Sequence, residues 1–242
     1  MRDFNLEFAD SAIRKYHYEF DTFTRRMLLQ RLSPFFKGKS ALEIGAYKGV
    51  MTRELDAIFE DLTVVEASSE LAKDLSLEFP NVNVQAFLIE EWETDRTFSN
   101  IFLVHTLEHI ENRSAVLERI GQLLDLDGLA FIAVPNGNAL SRQLAVAMGL
   151  VSSTTAVTDG EKSHGHQVTF NLETLKAQLR EAGLTIVHSG GVVLKALSNN
   201  QIDNAVEARI FSESYLEACN ELSLVYPDLY ASIFCVVSKS RI

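Results

Sequence analysis

Histidine and acidic residues cluster at two places in the chain, and these residue types perform much of the acid–base and metal chemistry of proteins. Four of the six histidines lie in two groups, His105 and His109 within His-Thr-Leu-Glu-His, and His164 and His166 within His-Gly-His. A free imidazole has a pKa of about 6.5, so it can accept a proton at neutral pH. Imidazole and carboxylate groups also bind divalent metal ions. Both groups are therefore candidates for the chemical centre.

Two chemical roles fit these residues. In the first, His105, His109 or His166 is a general base that takes the proton of an alcohol, which is a poor nucleophile until that proton leaves. In the second, a bound divalent metal lowers the pKa of a coordinated hydroxyl group. The metal ligands would be His105, Glu108, His109 and His166. A helix that begins near residue 105 would place 105, 108 and 109 on one face. A structural role, in which Glu108 and His109 only cap or orient that helix, stays open.

Apolar runs that alternate with stretches of helical period supply the elements that position these residues. Strands are predicted at 40–44, 62–66, 82–86, 101–104, 129–134, 184–196 and 233–237. Helices are predicted over 50–59, through Leu71, Leu75 and Phe79, near 113–124, over 172–182 and near 203–223. Strands that alternate with helices predict an α/β fold whose parallel sheet is covered on both faces.

Two segments lie outside this alternation. Residues 1–37 have a mainly helical pattern and are predicted to form a lid outside the sheet. Residues 138–170 form an insertion between the fifth strand and the next helix, where α/β enzymes often place substrate contacts. No repeat or Pro/Gly/Ser-rich linker divides the sequence, so one domain over 1–242 is expected.

The end of the first strand has the pattern of a nucleoside site without a phosphate. Ligands of open α/β sheets bind beyond the carboxyl ends of the strands. A dinucleotide site would need glycines at 45, 47 and 50, but Tyr47 and Val50 stand at the last two positions. Glu43 suits an ammonium group, and Glu66 at the end of the second strand suits the hydroxyls of an unphosphorylated ribose. A nucleoside with an ammonium group and no phosphate describes S-adenosylmethionine.

The Glu-x-Gly-x-x-x-Gly segment at 43–49 and the element order after it resemble class I S-adenosylmethionine-dependent methyltransferases over residues 40–240. The resemblance implies a Rossmann-like, seven-stranded, mostly parallel sheet with an antiparallel last strand and helices on both faces. It also implies S-adenosylmethionine as cofactor and S-adenosylhomocysteine as product, with residues 87–89 around the adenine. The implied cofactor-binding residues are Glu43, Gly45, Ala46, Tyr47, Gly49, Glu66, Ala67, Leu88, Ile89 and His105. Tyr47 replaces the family's usual second glycine, so the loop must be wider there or the ring must fold away.

Narrower resemblances point to an acceptor. The x-x-Glu-His pattern at 108–109, with a distant histidine, resembles the metal site of small-RNA 3′-end and ubiquinone-pathway O-methyltransferases, which typically have Glu in place of His105. Segments 134–142, 148–150 and 164–167 resemble methyltransferases of sugar, capsule and natural-product clusters. We therefore expect methyl transfer to a hydroxyl of a small polar acceptor, such as a sugar or sugar nucleotide. The alternatives are N-methylation of an amino sugar or other small amine, and a non-catalytic S-adenosylmethionine-binding subunit.

The charge balance limits the partners. The 242 residues include 22 Lys plus Arg and 33 Asp plus Glu, a formal net charge of −11. Nucleic acids and anionic membranes attract clustered positive charge, so neither is expected as a partner. Two cysteines, a polar N-terminal segment and no run of about 20 apolar residues predict a cytoplasmic protein. The apolar surface over 205–216 suffices for a homodimer contact, and covering the sheet explains it equally well.

Overall fold

The structure is a computed structural model that describes Asn5 and residues 19–240. The strands are β1 (Ser40–Ile44), β2 (Asp61–Glu66), β3 (Asn83–Ala86), β4 (Phe98–Val104), β5 (Leu124–Pro135), β6 (Leu184–Leu194) and β7 (Tyr230–Lys239). The helices are α1 (Glu19–Leu32), α2 (Val50–Asp56), α3 (Ser69–Glu78), α4 (Arg113–Leu123), α5 (Leu140–Ala147), α6 (Asp159–Ser163), α7 (Leu172–Glu181), α8 (Asn199–Glu207) and α9 (Glu213–Ser223). Short 3₁₀ turns cover Ser33–Phe35 and Leu107–His109.

The strands form one seven-stranded sheet in the order β3-β2-β1-β4-β5-β7-β6. Strands β1 to β5 pair in parallel, whereas β7 is antiparallel to both β5 and β6. This confirms the predicted Rossmann-like, mostly parallel sheet with an antiparallel last strand. The strand order reverses between β1 and β4, and a ligand crevice is expected beyond the carboxyl ends of these two strands.

An apolar layer covers each face of the sheet, as predicted. Helices α1, α2 and α9 pack on one face through residues such as Leu28, Leu55 and Leu216. Helices α4 and α7 pack on the other face through Leu117 and Leu179. Burial on both faces explains why the central strands are continuous apolar runs. Among the described helices, none is long and apolar enough to cross a membrane.

Helix α1 is part of the core. Its buried residues are Phe20, Phe23, Thr24, Met27, Leu28, Leu29 and Leu32. Their spacing gives the helix one apolar stripe, which packs in the same cluster as the sheet residues Phe102 and Phe131. Residues 19–32 of the predicted lid therefore pack against one face of the sheet, and the lid itself stays a prediction. The rest of that segment up to residue 18, apart from Asn5, lies outside the described residues.

Some predicted boundaries differ from the structure. The helix expected near 203–223 is two helices, because Arg209 has a left-handed φ of +57° after α8 and Ser212 caps a new helix by accepting the N–H of Tyr215. Strand β5 begins at Leu124 instead of residue 129. Its first residues include Asp125 and Asp127, whose polar side chains concealed the start of the strand.

The insertion at 138–170 contains α5 and α6, and backbone hydrogen bonds join its two ends. The N–H of Gly137 donates to the C=O of Phe170 at 2.6 Å, and Asn136 forms a bridge with the same residue. Because β5 ends at Pro135, the insertion leaves the sheet at its carboxyl edge. That edge carries the predicted site.

Candidate active site

The loop between β1 and α2 depends on two glycines. Gly45 has a φ of +76° and Gly49 a φ of +72°, in the left-handed region that favours glycine. A Cβ atom on Gly45 would lie 2.5 Å from Cγ2 of Thr106, which follows β4. The loops after β1 and β4 are therefore in contact, so the two predicted parts of the site adjoin each other.

Tyr47 lies in the same loop and also has a left-handed backbone conformation, although it is not a glycine. Its φ is +51°, and its N–H donates to Oε2 of Glu66 at 3.0 Å. The ammonium nitrogen of Lys48 lies 5.5 Å from the centroid of the tyrosine ring. The backbone thus keeps a left-handed turn at the missing glycine, and the tyrosine ring packs beside Lys48.

Glu43 lies in β1, next to its carboxyl end, and is 4% exposed. Its Oε2 accepts a hydrogen bond from Oγ1 of Thr52 at 2.7 Å. Burial raises the pKa of Glu43 to about 7, although the Thr52 hydrogen bond and the Arg25 cation favour the ionised form. A cationic ligand group beside this carboxylate would lower its pKa again, so ligand charge and carboxylate ionisation favour each other.

Glu66 ends β2 and is 7% exposed. Its two oxygens accept hydrogen bonds from the backbone N–H groups of Tyr47 and Ser68, both at 3.0 Å. Burial raises the pKa of Glu66, and these backbone donors, together with those of Ala46 and Ala67, oppose that effect. The donors fix the carboxylate in one orientation, and a carboxylate has about four acceptor positions in total.

Residues 87–89 lie next to Glu66 at the sheet edge. Ala86, the last residue of β3, pairs with Glu66 in the parallel ladder. Ile89 is buried, Leu88 is half-buried and Phe87 is exposed. The structure therefore brings the predicted ribose-binding and adenine-binding residues together.

His105 lies apart from the face on which it was predicted. The expected helix is a 3₁₀ turn that begins only at Leu107, and His105 precedes it with a left-handed φ of +53°. Its N–H donates to the C=O of Ala133 at 2.8 Å, and its Nε2 lies 2.8 Å from Oγ of Ser232. Burial, with the Arg25 cation and the neighbouring histidines, lowers the pKa of His105 well below its ordinary value.

Glu108, His109 and His166 form the compact cluster of the site. One ligand atom from each of them lies within 4.8 Å of the other two. Oε1 of Glu108 is 4.0 Å from Nε2 of His109, and the rings of His109 and His166 meet edge to face with centroids 4.6 Å apart. His105, the fourth predicted ligand, is not a member of this group.

The electrostatics of the cluster fit a metal ion. Glu108 is 2% exposed, and its buried Oε2 has no hydrogen-bond partner among the residues that the structure describes. Burial raises the pKa of Glu108 to about 8, and burial lowers the pKa of His166 to about 4. An orphaned carboxylate oxygen is costly in the core, and one carboxylate with two neutral imidazoles is a donor set that divalent transition metals accept.

The insertion positions His166 over the 3₁₀ turn. The N–H of Gln167 donates to the C=O of Glu108 at 2.8 Å, and the N–H of His166 donates to the C=O of Glu161 at 3.0 Å. The carboxylate of Glu161 pairs with Arg142 of α5 at 2.6 Å and completes a capping box with Thr158. Helices α5 and α6 thus hold the distant histidine at the cluster.

Arg25 is a site residue that the sequence patterns did not reveal. Its positive charge acts to lower the pKa of Glu43, Glu108 and His105. The guanidinium therefore influences both Glu43 in β1 and the residues that follow β4. It also lines a cavity of about 320 Å³ between α1, α2, α8 and α9. The sequence does contain one sign of this role, because Arg25 is a charged residue on the apolar side of α1, next to Thr24.

Comparison with known proteins decides the family. The family model described as a methyltransferase domain matches residues 15–189, most of the chain. The protein belongs to this methyltransferase family. Membership, with the fold described above, confirms the predicted class I S-adenosylmethionine-dependent methyltransferase.

Individual relatives of the methyltransferase are distant. It is 24% identical over 119 residues to the ubiquinone biosynthesis O-methyltransferase of Glaesserella parasuis serovar 5 (strain SH0165), a match that covers 45% of this chain and 50% of the relative. The matched region thus spans half the length of that curated relative.

Solved structures of methyltransferases share the fold over nearly the whole chain. The N-methyltransferase NodS of Bradyrhizobium japonicum WM9, in complex with S-adenosylhomocysteine, superposes with a TM-score of 0.60 at 15% identity, covering 94% of this chain and 91% of that one. A Thermotoga maritima methyltransferase, a possible histamine N-methyltransferase, superposes with a TM-score of 0.66 at 15% identity, covering 96% and 98%.

Proposed function

We propose that the methyltransferase moves a methyl group from S-adenosylmethionine to a hydroxyl of a small polar acceptor, such as a sugar or sugar nucleotide. In this proposal Glu43 and the loop from Gly45 to Gly49 bind the amino-acid end of the cofactor. Glu66 binds the ribose hydroxyls, and residues 87–89 surround the adenine. Arg25, the cation beside Glu43, pairs with the cofactor carboxylate.

One observation carries the choice of a hydroxyl acceptor. Oε2 of Glu108, beside His109 and His166, is buried and has no partner within the described part of the chain. We propose that these three side chains bind a divalent metal ion. Such an ion lowers the pKa of a coordinated hydroxyl and favours the ionised nucleophile. The similarity to a ubiquinone biosynthesis O-methyltransferase also supports an oxygen acceptor.

A small amine is the second candidate acceptor, and the cavity beside Arg25 favours it. Its charged lining residues are Glu19, Glu54 and Glu213 with Arg25 and Arg26. Arg26 pairs with Glu213, and the remaining excess of one carboxylate attracts a cationic amine. NodS and the Thermotoga protein, which share the fold, have N-methyltransferase names. An amine needs less help from a base than an alcohol does, because its neutral form is already nucleophilic.

The partners expected from charge are proposals as well. The net charge of −11 supports a small-molecule acceptor over a nucleic acid. For a homodimer, the exposed side chains of Val206, Ile210 and Tyr215 on and after α8 offer an apolar contact. Leu216, which the sequence grouped with them, is buried against the sheet.

Elemental analysis tests the proposal. Protein purified without a histidine tag is analysed for divalent metals before and after dialysis against a chelator, as wild type and as His109→Ala. His188→Ala, a histidine stacked on Phe35 away from the cluster, is the matched control. We expect near-stoichiometric metal in the wild type and in the control, and none in His109→Ala. Methylation of hydroxyl acceptors should fall with the metal content.

Two other results would favour the alternatives. Metal-free protein that methylates an amine acceptor at full rate would replace the oxygen proposal by the amine proposal. Protein that binds S-adenosylmethionine but transfers no methyl group to hydroxyl or amine acceptors would favour a non-catalytic subunit.

A further inference from the structure

The side chain of His105 is held by a residue of the last strand. Ser232 lies in β7 opposite Pro135 of β5 and is 1% exposed. Its Oγ lies 2.8 Å from Nε2 of His105 and also donates a hydrogen bond to the C=O of Val134 at 3.1 Å. The three groups form a short hydrogen-bonded chain from the half-buried imidazole to the backbone of β5.

Counting protons in this chain gives the state of the imidazole. The C=O of Val134 can only accept, and the serine hydroxyl has one proton to donate. If that proton goes to Val134, the contact with His105 is a hydrogen bond only when Nε2 carries a proton and donates. The opposite tautomer would satisfy only one of the two contacts, so the Nε2–H tautomer makes one more hydrogen bond in this chain. The neutral imidazole therefore carries its proton on Nε2 and its lone pair on Nδ1.

We infer that Ser232 is a positioning residue that fixes His105 as the Nε2–H tautomer and thereby makes Nδ1 the proton acceptor toward the acceptor molecule. The inference rests on the proposed methyl transfer. His105 directly follows β4, whose carboxyl end adjoins the β1 loop. Within the described part of the chain, no residue hydrogen-bonds to Nδ1.

The proton then has a defined route during transfer. A lone pair of the acceptor oxygen or nitrogen forms the new bond to the methyl carbon. The bond from sulfur to that carbon breaks, and its electron pair stays on sulfur. The acceptor proton passes to Nδ1 of His105, while Nε2–H continues to donate to Ser232. The imidazolium later releases the proton to water.

The backbone supports this arrangement. The left-handed φ of +53° at His105 and its N–H bond to Ala133 fix where the side chain leaves the chain. Ser232 then fixes the far end of the ring. A ring held at both ends leaves Nδ1 as the nitrogen that can take a proton, and a fixed ring is the pre-organisation that proton transfer requires.

The test reads the tautomer directly and without turnover. Long-range proton–nitrogen correlation spectra of ¹⁵N-histidine-labelled protein distinguish a protonated from an unprotonated ring nitrogen, and His105→Asn identifies the His105 signals. We expect Nε2–H in the wild type and a mixture of tautomers in Ser232→Ala. Ser223→Ala is the matched control, because Ser223 is also buried and its hydroxyl donates to the backbone C=O of Asn220 instead of contacting any of the described histidines.

Kinetics provide the second readout. We expect Ser232→Ala to lower kcat about tenfold or more with the KM for S-adenosylmethionine unchanged, and Ser232→Thr, which keeps the hydroxyl, to restore most of the rate. Nδ1–H in the wild type, or an unchanged kcat in Ser232→Ala, would overturn the inference. Nε2–H in a protein that transfers no methyl group would leave the tautomer assignment standing and refute the proposed function instead.

Discussion

Replacing Glu108 by Gln should stabilise the metal-free protein at alkaline pH. Burial raises the pKa of Glu108 from its ordinary value of 4.5 to about 8, so the folded protein holds this proton more tightly than the unfolded chain. The stability contributed by the bound proton is complete below the unfolded pKa and is lost as the pH rises through 8. Between pH 6 and pH 8 the loss is about 2 kcal/mol. Glutamine is neutral throughout and avoids it.

Urea unfolding in the presence of a chelator measures this effect. The free energy of unfolding is determined at pH 6 and pH 8 for wild type, Glu108→Gln and the control Glu118→Gln, whose side chain is exposed on α4. The difference between Glu108→Gln and wild type should grow by about 2 kcal/mol between these pH values. Added divalent metal should stabilise the wild type and the control but not Glu108→Gln. Equal pH dependence in all three proteins would refute the view that the buried carboxyl is destabilised by its surroundings.

Three further changes test the supports of the site. Gly45→Ala should lower the free energy of unfolding by about 2 kcal/mol or more, and by more than Gly149→Ala. Gly149 has a similar φ of +73°, but no atom of the described residues lies within 4 Å of an added Cβ. Equal losses in thermal unfolding would mean that contact with Thr106 is unimportant. Asp203→Ala should lower the free energy of unfolding by about 1 kcal/mol in the same assay, because its carboxylate accepts the N–H groups of Glu19 and Phe20 in α1. An unchanged melting temperature would contradict this. Arg142→Met should weaken metal binding in calorimetry without changing the affinity for S-adenosylhomocysteine, because Arg142 holds Glu161 near His166. A change in the affinity for S-adenosylhomocysteine alone would argue against this role of Arg142.

Much of the fold follows from the sequence because its signals are local. Strands buried on both faces appear as apolar runs, and the left-handed turns at Gly45 and Gly49 leave glycines at fixed spacing. Glu43 and Glu66 could be placed at the same sheet edge because parallel strands end on the same side. The sequence therefore predicted which residues share the cofactor edge, while their binding roles stay predictions.

The arrangement of His105 and of the Glu108, His109 and His166 cluster was harder to predict, because it depends on residues that are far apart in the sequence. The left-handed φ of His105 takes it out of the predicted helix, it is not a member of the Glu108 cluster, and nothing in His-Thr-Leu-Glu-His marks that turn. Its partner Ser232 lies 127 positions away, next to β5 only because β7 inserts between β5 and β6. Arg25 reaches the site from a helix whose apolar spacing indicates packing alone. His166, by contrast, was predicted as a distant ligand, and the insertion does bring it to Glu108 and His109.

Calorimetric titration with S-adenosylhomocysteine tests most directly whether the carboxyl edge of β1 and β2 is the cofactor site. Wild type, Glu66→Gln and the control Glu70→Gln, an exposed acid in the first turn of α3, are titrated under the same conditions. We expect one site per chain in the wild type and the control, and an affinity lower by about tenfold or more in Glu66→Gln, which loses charge-assisted hydrogen bonds to the ribose. Equal affinity in all three proteins would contradict the assignment of Glu66 and with it the cofactor site described here.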